Sequence, residues 1–115
     1  MHELSIAMSI LDVVEEESAK HGDARVLAVH LKLGPLSGVV KEALLASFEM
    51  ARDGTSLEGC QLLIEEIPIV IDCPSCGTSR PVVSIQQMCC AICGAPADQV
   101  ISGRELEVSA MELSS

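Results

Sequence analysis

Three observations place this chain in the α+β class. Two spans carry apolar residues every three or four positions, two others alternate apolar and polar, and a cysteine-rich stretch breaks both patterns. They predict a small three-stranded, mostly antiparallel sheet with two helices, into which a four-cysteine module is inserted. At 115 residues the chain is one domain, or one domain carrying a small module.

The first helix is expected from about Leu4 to Lys20, with Leu4, Ala7, Met8, Leu11 and Val14 as its apolar stripe. Lys20-His21-Gly22 supplies a basic last turn and a C-terminal glycine. Val26 to Leu33 alternates, placing Leu27, Val29, Leu31 and Leu33 on one face and Ala28, His30 and Lys32 on the other, as in a half-buried strand. Gly34-Pro35 ends it. A second helix is expected from about Val39 to Arg52, with Val40, Ala43, Leu44, Ser47 and Ala51 on its stripe and Phe48 at the flank. A further β-rich run covers Gln61 to Ile71 and is interrupted by Pro68, which suits an edge, a bulge or a strand end. Leu106, Val108 and Ala110 alternate with Glu105, Glu107 and Ser109 in a last strand. The expected body is therefore 1–71 completed by 99–115, with 72–98 as the insert.

Composition excludes several functions. With 17 acidic and 7 basic side chains the net charge is -10, which repels phosphate backbones. Phe48 is the lone aromatic residue, so no platform for stacking bases exists. No run approaches the length of a membrane span, and the start has no basic region preceding an apolar one, so the expected location is the cytoplasm. No Gly-rich phosphate loop and no paired acid and base can be identified, so an enzyme is not expected.

The segment 72–98 holds five of the six cysteines and three of the five prolines, and lacks residues suited to a conventional core. Cys73-Pro74-Ser75-Cys76-Gly77 and Cys90-Ala91-Ile92-Cys93-Gly94 form two C-x-x-C-G turns with 13 residues between them. Each turn points two sulfurs inward, and two facing turns make a tetrahedral thiolate cage of the zinc-ribbon kind. Duplication and a reducing compartment disfavour disulfides or a redox pair. Cys73, Cys76, Cys90 and Cys93 are thus the expected zinc ligands, and a closed four-ligand site is structural, not catalytic. The same spacing describes rubredoxin-type iron sites, so an iron electron carrier is one competing reading and a zinc-ribbon interaction module another. Cys60 and Cys89 are left over.

Met1-His2-Glu3 is a second candidate. The Met1 amine, the His2 amide and the His2 ring nitrogen can close fused chelate rings, and the Glu3 amide can supply a fourth nitrogen. Planar nitrogen coordination suits Ni(II) or Cu(II) and not zinc. His21 reads as a cation at a helix C-terminus and His30 as a residue of the polar strand face.

Taken together, Met1-His2-Glu3, Lys20-His21-Gly22, Leu33-Gly34, Phe48-Glu49, Glu58-Gly59-Cys60, Cys73-Pro74-Ser75-Cys76, Cys90 with Cys93, and Ser102-Gly103 resemble the HypA/HybF family over nearly the full length. That family delivers nickel in nickel-iron hydrogenase maturation. The resemblance implies a small α/β nickel-binding domain with an inserted zinc domain. It also implies Ni(II) as transient cargo held by His2 with Met1 and Glu3, and Zn(II) held by Cys73, Cys76, Cys90 and Cys93. Implied partners are a HypB-type GTPase, the hydrogenase large subunit and, in some members, urease maturation proteins, with the chain acting as a monomer or a homodimer. Ala91 stands where the second knuckle commonly has proline, and Cys89 adds a thiol directly before Cys90.

Overall fold

The computed structural model describes residues 2–114. Helix α1 (His2–Lys20) and helix α2 (Lys41–Arg52) pack against each other. The strands in chain order are β1 (Val26–Leu33), β2 (Gln61–Glu66), β3 (Val70–Cys73), β4 (Thr78–Pro81), β5 (Gln99–Ser102) and β6 (Leu106–Leu113). They form two three-stranded sheets, in the orders β2-β1-β6 and β4-β3-β5.

In the first sheet β1 is central. The Ser114 amide donates to the Arg25 carbonyl and the Gly34 amide to the Glu105 carbonyl, so β6 runs antiparallel to β1. The Ile67 amide donates to the Leu33 carbonyl at 2.9 Å. It joins the C-terminal end of one strand to that of the other, so β1 and β2 run parallel, as a crossover through α2 requires. The second sheet is antiparallel throughout, with Ile71 opposite Arg80 and Cys73 opposite Thr78 on one side, and Ile71 opposite Val100 on the other. Antiparallel pairing therefore dominates, as expected.

Two compact units result. One comprises residues 1–32, 39–65 and 107–115; the other comprises 33–38 and 66–106. The cysteine unit reaches beyond the expected 72–98 because β3 recruits β5, taking 99–106 away from the body. Strand β4 has no counterpart among the expected elements, since a four-residue strand beside a metal knuckle carries no alternation to read, and β5 lies within the 99–115 expected as the body's C-terminal strand.

The body is aliphatic around one ring. Ala7, Ile10, Leu11 and Val14 of α1, Val29 and Leu31 of β1, and Leu44 and Phe48 of α2 are all buried. Three expected core positions are corrected. Met8 and Val40 are more than half exposed and Leu27 is 45% exposed, while Ile10 takes the place expected for Met8. Positions 7, 10, 11 and 14 lie on one narrower arc of the helix, and position 8 falls outside it. Helix α1 begins at His2, two residues before the expected start, and α2 begins at Lys41 after a 3-10 turn over Pro35–Ser37.

Candidate metal centres

The second unit has its own small core of Ile69, Ile71, Cys73 and Cys90. Its two knuckles share one construction. Gly77 and Gly94 each donate to the carbonyl four residues earlier, of Cys73 and of Cys90, both at 2.9 Å. Both glycines have positive φ, +70° and +79°, the left-handed turn that closes each loop. Within the loops the Cys76 amide points at the Cys73 sulfur, and the Ile92 and Cys93 amides point at the Cys90 sulfur, all at 3.4 Å. The second knuckle is tied to β4 by the Ala91 amide, which donates to the Pro81 carbonyl at 2.9 Å.

These turns bring Cys73, Cys76, Cys90 and Cys93 together, with all four sulfurs within 4.8 Å of one another. Cys73 Sγ lies 3.4 Å from Cys93 Sγ, and Cys76 Sγ lies 3.9 Å from Cys90 Sγ. A disulfide needs about 2 Å. Four thiolates about 2.3 Å from a tetrahedral zinc stand about 3.8 Å apart. The spacing is that of a cage, and none of the six cysteines is disulfide-bonded.

The donor set itself calls for a cation. The Cys93 amide, then that of Ile92, holds the Cys90 thiol down at about 6. Cys93 accepts from the Ala95 amide, which lowers it, yet the neighbouring sulfurs of Cys73, Cys76 and Cys90, with loss of water, push it up to about 12. Sulfurs this close cannot all ionise without a cation among them. A closed four-thiolate cage suits structural zinc.

The N-terminal residues occupy the first turn of α1. His2 is 61% exposed through its side chain, and its Nδ1 lies 3.8 Å from Glu3 Oε2. Glu3 is mostly buried, and its Oε2 accepts from the Val40 amide at 3.4 Å, at the start of α2. Its carboxyl is held below the ordinary 4.5 by its own backbone amide first and that of Val40 second. The sequence points to the Glu3 amide alone; the contact of its side chain across 37 positions leaves no local signal. Met1 lies outside the described residues. Among the described residues, the four cysteines are the one group of three or more metal-binding side chains, and His2 stands apart from any such cluster.

The remaining histidines and cysteines join no metal-binding group among the described residues. His30 Nε2 lies 2.7 Å from Glu112 Oε2, on the polar strand face expected for it. His21 sits beside Glu17 and Met111 in a shallow cleft. Cys60 is buried, which pushes its thiol up, and its carbonyl accepts from Arg52. Cys89 pairs through its backbone with Pro96.

A two-helix α/β body with a ribbon unit closed around four thiols defines a small metal-handling protein. A family profile described as "Hydrogenase/urease nickel incorporation, metallochaperone, hypA" matches residues 1–113. The chain belongs to the HypA family, the nickel metallochaperones of hydrogenase maturation. It is 47% identical to the hydrogenase maturation factor HypA of Roseiflexus sp. (strain RS-1), covering 97% of this chain and 91% of that protein. It is 43% identical to that of Geobacter metallireducens, covering 98% and 99%. In structure it is similar to the nickel metallochaperone HypA of Helicobacter pylori, with a TM-score of 0.64, 20% identity and 96% of both chains covered. A second HypA solution structure aligns with a TM-score of 0.72 at 21% identity, covering 99% and 97%. Among the described residues no helix is long and apolar enough to cross a membrane.

Proposed function

We propose that nickel is carried at the N-terminus, by the His2 ring and amide with the Met1 amine and the Glu3 amide, and that Cys73, Cys76, Cys90 and Cys93 hold zinc as a structural ion. The body then handles nickel and the cysteine unit holds the permanent metal. The observation that carries this reading is His2, exposed at the first residue of α1 and adjoining a carboxylate anchored to α2. Amides in the first turn of a helix have no carbonyl partner four residues earlier, so metallating them breaks no bond of the helix ladder, and that of Glu3 gives up only its bond to its own carboxylate.

A terminal amine, ionised amides and one imidazole make a site that releases its metal on protonation or to competing ligands, as cargo requires. In the cytoplasm, a HypB-type GTPase and the hydrogenase large subunit would work with this site, and urease maturation proteins would be further recipients. With a net charge of -10, electrostatic steering favours basic patches on such partners. The role requires transfer and no catalytic step.

Nickel titration of untagged protein, wild type against His2→Ala, tests the site. His2→Ala is expected to lose stoichiometric nickel while keeping its zinc and its fold. One-to-one nickel in that variant overturns the assignment.

A further inference from the structure

A zinc ion with four thiolates carries a formal charge of -2, and the segment 72–98 adds Asp72 and Asp98. Arg80 is the one basic residue in that segment, so its placement decides whether the segment supplies the cage with a counter-charge. It lies on β4 opposite Ile71, two positions from the pair Cys73 and Thr78. Residues two apart on a strand share a face, so Arg80 projects on the same side as the first zinc-ligand candidate. Ile71 and Cys73 are fully buried there, and the backbone of Val82 pairs with Cys90 just beyond. The Arg80 Nε is itself buried and has no hydrogen-bond partner, a cationic donor left unsatisfied inside the unit.

We propose that Arg80 is a positioning residue of the zinc site, its guanidinium facing the thiolate cage from the side of Cys73 and supplying the positive charge that a four-thiolate zinc lacks. Arginine suits the role, because its planar fork is always charged and is less strongly hydrated than an ammonium. Partners of metal ligands orient them and tune the metal, and their loss costs about 10–100-fold in metal affinity.

The inference rests on the four-thiolate reading, and the test separates the two. Zinc affinity is measured by chelator competition on the full-length chain and on Arg80→Met and Arg80→Lys. Cobalt-loaded samples report the sulfur-to-metal charge-transfer band. Arg80→Met keeps the apolar stem and loses the charge; affinity should fall about 10–100-fold. Its charge-transfer band should move to longer wavelength, since a nearby cation lowers the sulfur lone pairs. Arg80→Lys should stay within a few-fold of wild type. Should Arg80→Met fail to fold, Arg80→Gln takes its place with the same expected direction. Wild-type affinity in the uncharged variant overturns the role of Arg80, as do equal losses in both variants with an unmoved band, the mark of packing alone. A wild-type chain that shows no four-sulfur cobalt spectrum overturns the site reading and the inference with it.

Discussion

Gly34 and Gly103 meet backbone to backbone. A Cβ on Gly34 would overlap the Gly103 carbonyl and come within 2.8 Å of the Arg104 amide nitrogen. This closeness allows two hydrogen bonds of 2.8 Å, from the Gly34 amide to the Glu105 carbonyl and from the Leu36 amide to the Gly103 carbonyl. Gly103 is constrained twice, because its φ is +116° and a Cβ there would meet Ile69 at 2.9 Å. Gly34→Ala is therefore expected to destabilise the fold by about 3 kcal/mol, the upper range for overpacking, since backbone must shift where no side chain can yield. Urea unfolding measures it; a loss below about 0.5 kcal/mol would mean that the two segments part easily.

Phe48 is the single aromatic side chain and is 1% exposed. The other buried side chains of its unit, such as Leu31, Leu44 and Val29, include no second ring. Phe48→Ala is expected to cost about 3–5 kcal/mol. That is a large part of the roughly 5–15 kcal/mol that holds a domain together. Phe48→Leu should cost less. The comparison of unfolding midpoints checks both, and near-equal stability of Phe48→Ala and wild type would refute the placement.

Glu3 links the start of α1 to the start of α2 through the Val40 amide. Its carboxyl titrates below the ordinary 4.5, owing first to its own amide and then to that of Val40. A depressed folded pKa means that the contribution is fully present above the ordinary value and is lost as pH falls through the lower folded one. Carbon-detected titration should place the Glu3 midpoint below 4.5, with the Val40 amide shifting in step. A Glu3 midpoint at or above 4.5, or a Val40 amide indifferent to it, would break the link.

The sequence made the local features legible. Strand β1 runs over the eight residues that alternation assigned to it, and α1 ends at Lys20 where a basic turn meets glycine. Residues whose role is set by distant partners were hidden. The apolar arc of α1 is wide, with Ile6, Ala7, Met8, Ile10 and Leu11 all eligible, and only packing excludes Met8. Strand β5 falls within the 99–115 expected to complete the body, yet it pairs with β3 across β4 and both knuckles. The four-cysteine grouping was readable because two fixed spacings and two turn glycines encode it locally. The glycines at 34 and 103 were recognisable as marks of the family, but their mutual contact required coordinates.

Of the four buried core residues of the cysteine unit, Ile69, Ile71, Cys73 and Cys90, two are sulfur ligands of the proposed cage. The apolar part of that core is therefore two isoleucines with a fringe of partly buried neighbours such as Val82, Met88 and Val100. Each buried isoleucine contributes about 1.5–3 kcal/mol. Ordering each residue of backbone costs about 1–2 kcal/mol, so the metal must supply much of what holds residues 66–106 in place. The body keeps its own buried set on α1, α2 and β1, with none of the four cage ligands in it. Removing zinc with a strong chelator is thus expected to collapse the amide dispersion of residues 66–106 while the helical amides of α1 and α2 stay in place and the helical circular dichroism persists. Returning one equivalent of zinc should restore the spectrum. A cysteine unit that keeps its dispersion without metal would show that its short strands and two isoleucines suffice, and a body that unfolds with it would show that the two units are not separately stable.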